Sequence, residues 1–177
     1  MADADTVGKA LLDANLIAGE DSEYGLYVKT VNGITYFDTA RFYTDSEEKI
    51  GYALSDIRDK VVIATKTGAT TAEGFWKDLE TSLSLLKTDF IDLYQFHNPA
   101  FCPKPNDGTG LYEAMLEAKR QGKVLHIGIT NHRLEVARES IASGLYETLQ
   151  FPFSYLASDK DLEIVQQCKD GAWASSA

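Results

Sequence analysis

The sequence predicts an α/β fold, with a mostly parallel sheet and helices packed outside it. Three observations carry this. Short β-branched or aromatic runs alternate with longer runs whose apolar residues recur every three or four positions. Five such strand–helix units follow one another between residues 32 and 169. Their strand centres fall roughly 23 to 35 residues apart, the size of a βαβ unit.

The first strand is read at residues 34–37, with Gly33 before it and a polar loop after it. The second covers residues 61–65 and the third residues 90–94. The fourth covers residues 124–129, with Gly128 inside it as a place of close backbone approach. The fifth covers residues 148–151 and is stopped by Pro152.

Each strand is followed by a helix pattern. Ile50, Leu54 and Ile57 share one face, with Asp45 or Ser46 as cap. Phe75, Leu79, Leu83 and Leu86 form a stripe, and Thr70 with Glu73 has capping-box spacing. Leu111, Met115 and Ala118 align on a helix over residues 110–121 that Gly122 closes. Leu134, Ala137 and Ile141 align before Gly144, and Leu162, Val165 and Cys168 align on a helix from about Ser158. The first 32 residues are the least patterned; residues 7–16 and 24–31 are read as two short helices.

Composition narrows the function. Apolar residues make up 44% and charged residues 25% of the 177, which suits a folded domain. The net charge of -10 opposes a phosphate backbone, so nucleic acid is not an expected partner. Cys102 and Cys168 lie far apart and outside any CxxC pair, so no metal site is expected. No signal-like opening and no apolar stretch of about 18 residues occurs, so the expectation is a cytoplasmic protein without membrane contact.

Polar residues recur at the strand ends: Asp38, Lys66, His97 and Asn131. In a βα-repeat fold these ends share the catalytic face. Tyr43 follows the first strand closely enough to join them. A phenol is a weak acid at neutral pH, and a nearby ammonium favours its ionised form. Lys66 can supply that ammonium, Asp38 can hold Lys66, and His97 can donate a hydrogen bond to a carbonyl oxygen. That set suits carbonyl reduction, where oxygen gains negative charge. Each residue also has a plain structural role open to it: Asp38 and Asn131 as caps, Tyr43 as a rim residue, Lys66 as a solvated strand end, His97 as a loop-ordering side chain, Gln150 as a backbone partner.

The segment from Phe37 through Asp38, Thr39, Ala40, Arg41 and Phe42 to Tyr43, followed by Ser46, Glu47 and Glu48, resembles the signature of the aldo-keto reductase superfamily. The family lysine falls on Lys66 within Ala64-Thr65-Lys66-Thr67, and the family histidine on His97 after Asp92-Leu93-Tyr94-Gln95-Phe96. The resemblance implies a (β/α)8 TIM barrel and reduction of an aldehyde or ketone with NADPH. NADH stays open, because the phosphate-gripping segment has no counterpart. The implied catalytic tetrad is Asp38, Tyr43, Lys66 and His97. The implied cofactor contacts are Asp38, Thr130, Asn131 and Gln150. Arg41 and Phe42 are expected to shape the pocket, and residues 96–110 to form a substrate-side loop.

A barrel of this kind typically needs about 250 residues. The expectation is therefore a truncated barrel resembling strands two to six, lacking the last strands and the first. It divides into an N-terminal helical segment (residues 1–32), an incomplete barrel (33–169) and a divergent tail (170–177). Open sheet edges then allow self-association. Three rivals follow: an inactive fragment, an interaction protein using those edges, and a barrel enzyme forming a Schiff base through Lys66.

Overall fold

The computed structural model of the chain describes residues 18–22, 25–30, 35–153, 158–170 and 174–176. Two strands, β1 (Ala18–Ser22) and β2 (Gly25–Thr30), pair antiparallel as a separate ribbon. This corrects the helix expected over residues 24–31. Tyr27, Val28 and Thr30 are strand formers, and cross-strand pairing with β1 outweighs the weak helical spacing. The helix expected over residues 7–16 lies outside the described residues.

Among the described residues the main sheet has six parallel strands in sequence order: β3 (Tyr36–Asp38), β4 (Val62–Thr67), β5 (Ile91–His97), β6 (Val124–Thr130), β7 (Thr148–Gln150) and β8 (Ala174–Ser176). The order without reversal is that of a curled (β/α)8 sheet, here open, with β3 and β8 at its edges. Residues 174–176, expected as part of a divergent tail, instead form β8, in register with β7 through Thr148 and Ala174. The structure thus carries one parallel strand more than the sequence pattern suggests; the run Ala174-Ser175-Ser176 lacks the large β-branched residues that mark a strand.

Helices fill the crossovers: α1 (Ser46–Leu54), α2 (Ala72–Leu86), α3 (Leu111–Arg120), α4 (Leu134–Ser143) and α5 (Asp159–Asp170). Phe75, Leu79, Leu83 and Leu86 of α2 are all buried, as their spacing requires. Each such side chain contributes about 1.5–3 kcal/mol on leaving water. They meet Ile63 of β4 and Tyr94 and Phe96 of β5 in one core that continues through Met115, Ile129 and Leu149.

Local details shift the expected boundaries. The cap of α2 is Thr71, not Thr70; its hydroxyl accepts from Gly74 N at 3.2 Å. Asp45 stands at the N-terminus of α1 but makes no capping bond, and its carboxylate pairs with Lys49 at 3.1 Å. The α1 helix stops at Leu54, and a 3-10 stretch (Ser55–Lys60) follows in which Ile57 leaves helical geometry. Gly51 lets α1 approach α2: a Cβ there would lie 2.1 Å from the Leu85 carbonyl oxygen. Gly144 closes α4 in the left-handed region, φ 64°.

Alternation along the strands positions the site. In β5, Tyr94 and Phe96 turn toward the helices, while Gln95 reaches across to Asp38 on the sheet's other face. In β6, Gly128 answers the expectation of close approach. A Cβ there would lie 2.4 Å from Thr148 Oγ1 and 2.9 Å from Gln95 Cγ.

Candidate active site

Strands β4 and β5 run further than their apolar cores suggest, so Lys66 and His97 are strand residues at the C-terminal edge. Asp38 ends β3 beside them. The register aligns Asp38 with Ala64, and Lys66 with Gln95. Three neighbouring strands therefore deliver their polar ends to one edge.

Lys66 is 2% exposed and must have fixed partners. Its Nζ donates to Asp38 Oδ2 at 2.5 Å and to the Thr39 carbonyl at 2.8 Å. It also lies 5.4 Å from the centroid of the Tyr43 ring. The other Asp38 oxygen accepts from Gln95 Nε2 at 3.4 Å. Tyr43 meets the His97 ring edge to face, with centroids 5.7 Å apart. The four expected tetrad residues thus come together.

His97 is held below the ordinary imidazole value, first by burial and then by the Lys66 ammonium. The nearby Asp38 carboxylate opposes this shift, and His132 adds to it. His97 is therefore neutral at pH 7. Its Nδ1 is enclosed and has no hydrogen-bond partner among the described residues. A proton placed on Nε2 leaves Nδ1 as the unprotonated nitrogen.

A cleft of about 160 Å³ opens at this point, lined by Tyr43, Lys66, His97, Thr130, His132, Gln150, Phe151 and Pro152. Sequence reasoning missed His132, Phe151 and Pro152 as lining residues; they lie beyond strand ends, where no periodic signal operates. A second cavity of about 190 Å³ shares His97 and is lined by Thr67, Phe96, Asn98, Phe101 and Leu111. It takes in residues of the expected substrate-side loop.

The other expected contacts divide. Thr130 and Gln150 line the cleft, and Gln150 Oε1 is buried without a partner among the described residues. Asn131 is fully buried, with one hydrogen bond at each end of its amide. Its Nδ2 donates to the Pro99 carbonyl at 2.8 Å, and its Oδ1 accepts from Arg133 N at 2.8 Å. Asn131 thereby orders the loops, and its amide does not line the cleft. Phe42 stacks on His97 at 6.2 Å and lies over Gly68, where a Cβ would sit 1.9 Å from its ring. Arg41, expected at the pocket, instead turns into an ion pair with buried Glu47. Among the described residues no group of three or more His, Cys, Asp or Glu side chains could hold a metal ion. Nor is any described helix long and apolar enough to cross a membrane.

An open, sequentially ordered βα sheet with Asp38, Tyr43, Lys66 and His97 converging at its C-terminal edge is the arrangement of a (β/α)8-type fold, whose sites lie at that edge. Comparison with known proteins agrees: the profile of the Aldo/keto reductase family matches residues 27–171, and the chain belongs to that family. It is 32% identical over 157 residues to an aldo-keto reductase, YhdN, of Bacillus subtilis, covering 78% of this chain and 45% of that protein. It is 35% identical over 129 residues to the methylglyoxal reductase DkgB of Escherichia coli O157:H7, covering 66% of this chain and 45% of that protein. The fold matches a crystal structure of an aldo-keto reductase from Klebsiella pneumoniae in complex with NADPH, at a TM-score of 0.71 and 23% identity. That match covers 99% of this chain and 58% of the other. The chain thus spans less than half the length of the curated relatives it matches.

Proposed function

We propose that this chain carries the catalytic half of a reductase that converts an aldehyde or ketone to an alcohol with NADPH. The observation behind this reading is Lys66, buried against Asp38 and facing Tyr43 and His97 in a single cleft.

Each side chain has a task. Tyr43, 46% exposed at the cleft mouth, donates the proton to the carbonyl oxygen. Lys66 supplies the positive charge that stabilises the phenolate left behind. Asp38 holds Lys66 by the 2.5 Å bond and balances its buried charge. His97, neutral with its proton on Nε2, donates a hydrogen bond to the same oxygen as negative charge grows there.

The residues present fit a nicotinamide cofactor. Gln150 Oε1, an unmet buried acceptor at the cleft wall, suits an amide donor such as the nicotinamide carboxamide. Gln150, Thr130 and the edge of Asp38 would hold that ring, and Asn131 would support them from behind. When bound, the cofactor supplies the hydride. NADPH is favoured over NADH by resemblance to relatives; one of the structural neighbours binds NADPH.

A second reading has its own observation. The sheet has the edge strands β3 and β8, which favours a non-catalytic interaction role as the second reading. Pairing through the edge strands β3 and β8 would be its mode of self-association. Fluorescence titration with NADPH, steady-state reduction of a small aldehyde and sizing in solution separate these. Saturable binding with turnover that Tyr43→Phe abolishes is expected. Equal rates for the parent and Tyr43→Phe would sink the proton-donor assignment. Absent binding would favour the interaction role.

A further inference from the structure

The mechanism above leaves one buried charge unused. Glu47 sits in the first turn of α1 with its side chain 1% exposed. A carboxylate taken out of water persists as an ion only when its partners are fixed. Here one oxygen accepts from Thr65 Oγ1 at 2.6 Å and from Ser82 Oγ at 2.7 Å. The other faces Arg41 Nη1 as an ion pair. One side chain thus ties together α1, β4, α2 and the loop that follows β3.

That loop carries Tyr43. Arg41 is pinned at two points, by its guanidinium on Glu47 and by its backbone N–H on the Lys66 carbonyl at 3.0 Å. Tyr43 N donates to the Ala40 carbonyl at 3.0 Å, and the Tyr43 carbonyl accepts from Ser46 N at 2.9 Å. Thr39 Oγ1 donates to Ser46 Oγ at 2.8 Å. The turn is therefore hung between a clamped arginine and the start of α1. Tyr43 itself is nearly half exposed, so its ring contacts with His97 and Lys66 hold it only in part, and the backbone of its turn sets the rest.

We propose that Glu47 is the positioning residue for Tyr43. Its carboxylate, held through one oxygen by Thr65 and Ser82, clamps Arg41 through the other and so fixes the turn that presents Tyr43 to Lys66 and His97. The consequence for turnover rests on Tyr43 being the proton donor, but the placement of the ring does not.

The test reads that placement directly. The chain has three histidines, so proton–carbon spectra give few imidazole signals, and His97→Asn identifies the relevant one. The Tyr43 ring, 5.7 Å from His97, shifts that signal by its ring current, and Tyr43→Ala gives the reference without it. In Glu47→Gln the His97 signal is expected to move toward the Tyr43→Ala position while His126 stays in place. Where the parent turns over, kcat is expected to fall at least about tenfold with NADPH affinity unchanged, since small misplacements are costly in rate. An unmoved His97 signal in folded Glu47→Gln overturns the proposal. If that variant does not fold, the pair Arg41→Met with Glu47→Leu removes both charges together. A displaced His97 signal is expected there too, and an unmoved one is equally fatal. A parent without turnover would sink the reductase reading and leave the spectra to decide the role of Glu47.

Discussion

Lys66 Nζ donates to Asp38 Oδ2 at 2.5 Å while lying 5.4 Å from the centroid of the Tyr43 ring, so one buried cation is held by a carboxylate and faces an aromatic ring. The arrangement explains why a lysine 2% exposed is tolerated: Asp38 and the Thr39 carbonyl take two of its three N–H bonds, and the third remains for the cleft. Lys66→Met keeps the volume and removes the charge. It is expected to lower kcat/KM by on the order of 10²–10⁴. Steady-state rates with an aldehyde and NADPH check this; a loss smaller than tenfold would show that proton donation does not depend on the ammonium.

His97 gives a pH signature. Burial and the Lys66 ammonium lower its value from the usual 6.5, so the folded state binds this proton less readily than the unfolded chain. The sign follows from linkage. Above pH 6.5 both states are neutral and His97 costs nothing. As pH falls below 6.5 the unfolded chain gains the proton first and stability declines, until pH passes the folded value and the loss levels off. The neutral imidazole of His97 therefore persists below pH 6.5. Titration of the His97 signal is expected to give a midpoint below the ordinary 6.5. If His97 protonated at or above 6.5, its role as a neutral donor would fail.

Much of the fold was legible because buried strands and helix stripes write their period into the sequence. Ile63, Tyr94 and Ile129 sit in the core, as do Phe75, Leu79 and Met115. What slipped were strand ends. Lys66, Gln95 and His97 belong to strands, yet as polar residues on the cleft side they read as the start of loops. Residues 24–31 went wrong for the opposite reason: short amphipathic spacing fits a helix, and only pairing with β1 decides for a strand. Asp38, Tyr43, Lys66 and His97, which the fold brings together, were named through a motif. Glu47 lay in that same motif, but its partners Arg41, Thr65 and Ser82 come from separate elements, and no spacing rule joins them. The bonds of the Asn131 amide to Pro99 and Arg133 likewise join loops that sequence spacing does not connect.

Gly128 tests how tightly the sheet's inner face is packed. A methyl group there would press on Thr148 Oγ1 at 2.4 Å, Gln95 Cγ at 2.9 Å and Leu93 Cδ1 at 3.1 Å. Gly128→Ala is expected to destabilise the chain by about 1–3 kcal/mol through overpacking. Thr148 is the nearest obstacle, so adding Thr148→Ala should return part of that loss, a non-additivity of contacting residues. Urea midpoints of the two single variants and the double measure it. Strictly additive losses would mean that Thr148 is not what the new methyl meets.

Glu147 is expected to control acid stability at the other end of the strands. Partial burial works against its charge, but Lys119, His126 and the Ile127 N–H together overcome it and hold the carboxyl down to about 2, from an ordinary 4.5. Lys119 Nζ lies at 2.5 Å, His126 Nδ1 at 2.6 Å, and Ile127 N donates at 3.1 Å. The folded value is the lower one, so the stabilisation is complete above pH 4.5 and is lost as pH falls through about 2. Solvent screening keeps it modest, because the side chain is 39% exposed. Glu147→Gln cannot ionise, so its melting temperature should fall less steeply than the parent's between pH 4.5 and about 2. Parallel curves over that interval would place the acid sensitivity in other carboxylates.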